Sequence, residues 1–137
     1  MTGFLIDTVT VSELRKQRPD PAVMRWFAAN ADRAIYLSCV TYGEIERGIG
    51  RARQSDPLFA ARLEAWLAAL IEDFGDDALP LTTSVARRWG RLSFDVKRSD
   101  LDLQIAATAL VHDLTVVTRN VRHFEPAGVR VVNPWEG

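Results

Sequence analysis

Between Ser99 and Asn120 the chain reads Ser-Asp-Leu-Asp-Leu-Gln-Ile-Ala-Ala-Thr-Ala-Leu-Val-His-Asp-Leu-Thr-Val-Val-Thr-Arg-Asn. The first half has the composition of a helix, but its apolar or small residues (Leu101, Leu103, Ile105, Ala106, Ala107, Ala109 and Leu110) point in nearly every direction. A helix of that kind is enclosed by protein rather than laid on a surface. Its first turn nevertheless carries two carboxylates, Asp100 and Asp102. After a break at His112-Asp113, Leu114 to Thr118 is a β-branched run that reads as a short strand, ending in Thr118-Arg119-Asn120. A buried helix that opens with acids and feeds a central strand predicts an acidic site above a parallel sheet.

The remaining chain supplies the other strands. Phe4-Leu5-Ile6 is a short apolar run suited to a central strand, with Asp7-Thr8 at its carboxyl end. A helix is expected from Ser12 to before Pro19, and a second opens at Pro21 with Val23, Trp26 and Phe27 on its core face. Ile35 to Val40 reads as a strand, and Thr41-Tyr42-Gly43-Glu44 as the start of the next helix. The polar run Arg51 to Pro57 reads as a turn before a helix from Leu58 to Phe74. Ala78 to Leu81 and Val129 to Val132 complete the strands, with a helix capped by Thr83 or Ser84 between them and the opening stretch. Strands separated by helices imply right-handed crossovers. The expected fold is an α/β/α sandwich, with a mostly parallel sheet of about five strands, in one domain over residues 1–137.

Composition narrows the function classes. The formal net charge is −1, so a nucleic-acid partner must be met by a local basic patch and not by bulk charge. No apolar run is long enough to cross a bilayer, and no signal peptide is expected at the N-terminus. Cys39 is the one cysteine, which excludes an internal disulfide and fits a reducing cytoplasm. Cysteine and histidine are too few for a zinc cluster.

In a parallel sheet, residues just past the strands' carboxyl ends share an edge with the first turns of the following helices, and ligands bind at that edge. Asp7, Glu44, Asp102 and Asn120 are all expected at this rim. Carboxylates crowded in one pocket repel unless a cation neutralises them. Oxygen donors without thiolate favour a hard ion, Mg²⁺ or Mn²⁺. The plainer reading is that Thr41 with Glu44, and Ser99 with Asp102, form capping boxes at helix starts. Capping does not account for Asp7, which follows a strand without opening an obvious helix.

These segments resemble the PIN-domain family, in particular its VapC-like toxin branch. Phe-Leu-Ile-Asp7-Thr resembles the segment with the family's first metal-binding acid. Leu37-Ser38-x-x-Thr41-x-x-Glu44-Ile-x-x-Gly48 resembles the second, and Asp102-x-x-Ile-Ala-Ala-Thr-Ala the third. Val117-Thr118-Arg119-Asn120-x-x-His-Phe124 resembles the fourth, and Asn133-Pro134-Trp135 the usual ending. The resemblance implies a Mg²⁺-dependent ribonuclease, with Mn²⁺ as a possible substitute, acting as the toxin of a toxin–antitoxin pair. Asp7, Glu44 and Asp102 would hold the metal. Thr8, Thr118 and Asn120 would support them, and Arg119 and Arg122, nearest the rim, would contact RNA. It also implies a homodimer and a cognate antitoxin. The helices from Thr41 to Phe74, with Ile49, Leu58, Phe59 and Trp66, are the expected antitoxin-facing surface. Trp26, Trp66, Trp89 and Trp135 are otherwise read as core.

Two positions depart from the family pattern. Val9 stands where the family usually has Asn, removing a polar group expected to orient Asp7. His123 stands where it often has Asp; a solvated histidine is the reading taken, with a softer metal or a phosphate as its alternative ligands. These departures leave a catalytically weakened binding module as the competing function. An Asp-nucleophile phosphatase is the third reading, but it wants a second Asp two residues after Asp7, where Val9 stands.

Overall fold

β1 (Phe4–Ile6) is buried along its whole length and pairs in parallel on both sides: Phe4 lies opposite Ile35 and Thr115, and Ile6 opposite Leu37 and Val117. In the computed structural model, which describes residues 3–136, it is the centre of a five-stranded parallel sheet. With β2 (Ile35–Ser38), β3 (Ala78–Leu79), β4 (Thr115–Val117) and β5 (Val131–Val132), the strand order is β3-β2-β1-β4-β5. The chain winds outward from β1 to β3, then returns to the other side of β1 for β4 and β5. The topological switch point therefore lies between β1 and β4, where open α/β sheets bind ligands.

Seven α-helices cover the sheet among the described residues: α1 (Thr8–Leu14), α2 (Pro21–Ala29), α3 (Cys39–Ser55), α4 (Pro57–Phe74), α5 (Thr83–Val96), α6 (Leu101–Val111) and α7 (Val121–Phe124). The two-residue period of the strands sorts the core into two layers. Phe4, Ile6, Leu37 and Val117 pack with Val11 of α1, Ile45 and Ile49 of α3, and Leu67 and Leu70 of α4. Leu5 and Val116 face the other way, onto Leu103, Ile105, Ala106 and Ala109 of α6 and Phe124 of α7. Full burial of Leu103 and Ile105 contributes about 1.5–3 kcal/mol each. Trp26 and Trp66 lie against the first layer and Trp89 against the second, whereas Trp135 belongs to neither and lies beneath the Arg119 guanidinium, 5.3 Å from its ring centre.

Several expected boundaries move, each for a local reason. α1 begins at Thr8, not Ser12, because Asp7 caps it by accepting the Thr10 N–H at 2.9 Å. Asp7 thus opens a helix after all. β2 ends at Ser38, whose hydroxyl accepts the Val40 N–H and starts α3 at Cys39. Thr41 and Glu44 therefore lie inside α3 and form no capping box. At α6 the cap is Asp100, accepting the Leu103 N–H at 3.1 Å, in place of Ser99. Arg51 to Ser55 is helix and not turn; Asp56 alone separates α3 from α4 and caps the latter through the Phe59 N–H. Thr82, one residue earlier than expected, caps α5.

Candidate functional site

Asp7 is 2 % exposed, at the carboxyl end of β1 and beside the end of β4. Its Oδ1 accepts the Thr10 N–H at 2.9 Å and lies 2.6 Å from the Thr10 hydroxyl, which also stands 2.9 Å from the Val117 carbonyl. Its Oδ2 accepts the Thr118 hydroxyl at 2.6 Å, and Thr118 Oγ1 in turn accepts the Asn120 N–H. Burial pushes the Asp7 carboxyl above its ordinary value, while the bonds from Thr10 and Thr118 pull it down. Val9 is 53 % exposed, so the position where the family usually carries Asn takes no part in this arrangement. Thr10, which sequence reasoning passed over, orients Asp7 instead; the spacing Asp-x-x-Thr from a cap to the third helical residue was its available signal.

Asp102 occupies the first turn of α6 and Glu44 the second turn of α3. Burial raises the Asp102 carboxyl to about 6, with the charges of Glu44, Asp7 and Asp100 adding to the rise and His123 opposing it. These four carboxylates therefore share one electrostatic neighbourhood. Glu44 is turned onto Thr8, whose hydroxyl donates to Oε1 at 2.7 Å and lies 2.9 Å from the Thr41 hydroxyl. An open hollow of about 280 Å³ is lined by Glu44, Arg47, Asp100, Leu101 and Asp102.

His123 is not a solvated side chain. Its ring is one-third exposed, with Nε2 at 3.3 Å from Asp102 Oδ2 and 3.4 Å from Asp100 Oδ2. Arg98 fixes this corner: Nε donates to Asp100 Oδ2 at 2.7 Å, one terminal nitrogen to Asp100 Oδ1 at 3.3 Å, and the other to the His123 carbonyl at 2.8 Å. Burial raises the Asp100 carboxyl, but the Arg98 bonds and charge, the Leu103 N–H and His123 together hold it below its ordinary value. Arg98 thus serves as a clamp between the α5–α6 connection and α7. Replacing it with Ala is expected to cost about 1–2 kcal/mol by leaving the His123 carbonyl and Asp100 unpaired. Lys, lacking the planar fork, should restore little of this in a thermal melt.

Asn120 is exposed and caps α7 without a side-chain hydrogen bond. It borders a separate hollow of about 250 Å³ together with Arg119, Val121, Arg122, Asn133 and Glu136. Its expected neighbours Asp7 and Asp102 are held by other groups. The two arginines expected at the rim line this second hollow, whereas Arg47 lines the acidic one.

The donor set fits a hard divalent cation. A carboxylate has about four acceptor positions, and Asp7 uses three on Thr10 and Thr118, leaving one on Oδ2. The upward shifts of Asp7 and Asp102 are those of carboxylates whose charges lack a counter-ion. Among the described residues no three acidic, histidine or cysteine side chains converge on one point. Mg²⁺ is commonly held by one or two carboxylates, with water and substrate phosphate completing its shell.

A five-stranded parallel α/β protein with an acidic cleft at its β1–β4 switch point is the class that fold and site define. Within that class the chain belongs to the PIN domain family, whose model matches residues 4–129. It is 34% identical to VapC ribonuclease Y4jK of Sinorhizobium fredii, over 97% of this chain and 98% of that protein. It is 31% identical to Toxin FitB of Neisseria gonorrhoeae, over 96% of this chain and 98% of the toxin. Among solved structures, FitAcB from Neisseria gonorrhoeae matches with a TM-score of 0.83 at 30% identity, covering 98% of this chain and 99% of that one. VapBC2 from Rickettsia felis, solved bound to a promoter DNA fragment, shares the fold with a TM-score of 0.76 at 17% identity.

Proposed function

We propose that this chain is a metal-dependent endoribonuclease acting as the toxin of a toxin–antitoxin pair. The observation that carries the reading is the meeting of Asp7, Glu44 and Asp102 at the switch point of a PIN domain. A bound Mg²⁺ or Mn²⁺ supplies polarisation of the scissile phosphate and a more acidic water. Asp7 and Asp102 hold the cation, directly or through water. Asp7 arrives preset by Thr10 and Thr118, so little side-chain freedom is lost on loading. Glu44, steadied by Thr8, completes the shell or accepts a proton from the attacking water at Oε1 or Oε2. Arg47 stands beside the acids to meet a backbone phosphate, and Arg119, Asn120 and Arg122 offer a second contact further along the rim. Unstacked RNA suits such a cleft.

The competing binding-module reading rested on Val9 and His123, and Thr10 with Thr118 now accounts for the positioning of Asp7. An Asp-nucleophile phosphatase wants an accessible carboxylate, whereas Asp7 is buried and accepts bonds on both oxygens. The test is cleavage of a structured RNA pool by antitoxin-free protein with Mg²⁺ or Mn²⁺, with and without EDTA. Cleavage abolished by EDTA, by Asp7→Asn and by Asp102→Asn is the expected result. No cleavage by folded protein with either metal overturns it in favour of the binding module.

The antitoxin-facing surface is narrower than the sequence suggested, because Ile49 is wholly buried. What remains open is a hollow of about 360 Å³ between the end of α1 and α4, lined by Arg15, Lys16, Phe59, Arg62, Leu63 and Trp66. Arg15 lies over both aromatic rings, at 5.2 Å from Phe59 and 6.0 Å from Trp66. An antitoxin segment bearing an acidic and an apolar side chain fits it. Arg15→Glu and Trp66→Ala should each reduce co-purification of the antitoxin at least about tenfold, and unchanged recovery would move the interface elsewhere. The homodimer implied by the resemblance is read by light scattering of the same samples.

A further inference from the structure

We propose that His123 is a nitrogen donor to the metal at this site, so that the chain binds Mn²⁺ in preference to Mg²⁺. The inference rests on the metal-dependent reading above and deepens it. His123 Nε2 lies 3.3 Å from Asp102 Oδ2 and 3.4 Å from Asp100 Oδ2. Charge-assisted hydrogen bonds between such groups are shorter, about 2.7–2.9 Å. Two donors bound to one ion at about 2.1 Å, roughly at right angles, stand some 3 Å apart or slightly more. The imidazole and Asp102 are thus spaced as neighbouring ligands.

The backbone holds His123 in this place. Its N–H donates to the Asn120 carbonyl at 3.0 Å, and its own carbonyl accepts Arg98 at 2.8 Å. The ring meets the fully buried Phe124 edge-on, with centroids 6.3 Å apart. Asp100 is engaged by Arg98 through both oxygens, which leaves Asp102 as the carboxylate free to share an ion with His123. Imidazole suits first-row transition ions, whereas Mg²⁺ keeps to oxygen donors and water. Replacing a carboxylate by imidazole also withdraws one negative charge, which weakens the site for Mg²⁺ most.

The test is pulsed electron paramagnetic resonance of the Mn²⁺-loaded full chain, which reads directly bound nitrogen without any assay of cleavage. Nitrogen modulation is expected in the wild type, lost in His123→Ala and kept in His112→Ala, the other histidine of the chain. The Mn²⁺ dissociation constant should rise about ten- to a hundredfold in His123→Ala. His123→Asp should narrow the gap between Mn²⁺ and Mg²⁺ while circular dichroism stays unchanged. Bound Mn²⁺ that depends on Asp102 but shows no nitrogen coupling overturns the proposal and leaves the metal-dependent reading standing. So does tighter Mn²⁺ binding in His123→Ala, which makes the imidazole a competitor of the metal. No Mn²⁺ binding at all overturns both.

Discussion

Asp102→Asn is expected to raise the melting temperature of the metal-free protein while lowering metal-dependent cleavage at least about a hundredfold, the upper loss seen even for groups that only support a ligand. The two effects share one cause. Burial and the neighbouring Glu44, Asp7 and Asp100 push the Asp102 carboxyl up to about 6 from an ordinary 3.8. Its folded value lies above its unfolded one, so its contribution to stability is greatest at low pH and is lost as pH rises through about 6. At neutral pH the charge costs the metal-free fold at most about 3 kcal/mol, reduced by solvent at a side chain that is 28% exposed. Removing it should raise the melting temperature by about 3–8 °C at pH 7.5 and by much less at pH 5. Asp7 shifts in the same direction, whereas Glu13 and Asp100 are held low and act only in more acidic solution. Mn²⁺ or Mg²⁺ should stabilise the wild type at pH 7.5 and leave Asp102→Asn unmoved. A variant that melts lower at pH 7.5 than the wild type would contradict the electrostatic account.

The second large effect separates two duties of Asp7. Asp7→Ala removes the cap of α1 and strands the Thr10 N–H and the Thr118 hydroxyl in a buried place, for an expected loss of about 3–4 kcal/mol. Asp7→Asn keeps the acceptor on Thr10, and its amide can donate to Thr118 Oγ1, so its stability should fall within about 1 kcal/mol of the wild type. Cleavage should nevertheless be lost in both. Urea unfolding read beside an RNA cleavage assay checks the pair. Equal destabilisation by the two substitutions would mean that the charge, and not the hydrogen-bond pattern, holds this corner.

How far this was legible in the sequence depends on which force decides each element. α6 is so uniformly apolar that burial alone specifies it, and its expected extent agrees with Leu101–Val111. β1 and the parallel sheet follow from equally strong apolar runs. α1 was missed at its start because Thr8-Val9-Thr10-Val11 is β-branched and poor in helix propensity; the Asp7 cap and packing onto β1 and β4 override it. The polar run Arg51 to Ser55 looked like a turn because the end of α3 is largely solvent-facing, and solvent-facing helix has the same composition as loop. At the site, spacing was enough to suggest the carboxylates but not the groups between them. Thr10, Arg98 and the position of His123 depend on a four-residue helix and a connection whose path no periodicity reports.

The bond between Thr118 and Asp7 spans 111 positions of the chain. During synthesis the first strand emerges early, finds β2 soon afterwards, and keeps one edge open until β4 is made. The N-terminal acid cannot be oriented by Thr118, nor Asp102 brought beside it on α6, before about six-sevenths of the polypeptide has left the ribosome. A long-range closure of this sort is slow to form and leaves an unpaired strand edge exposed while it waits. A ribosome carrying an unfinished copy therefore holds a chain whose cleft does not yet exist, and the site comes into being only with the last fragment of translation.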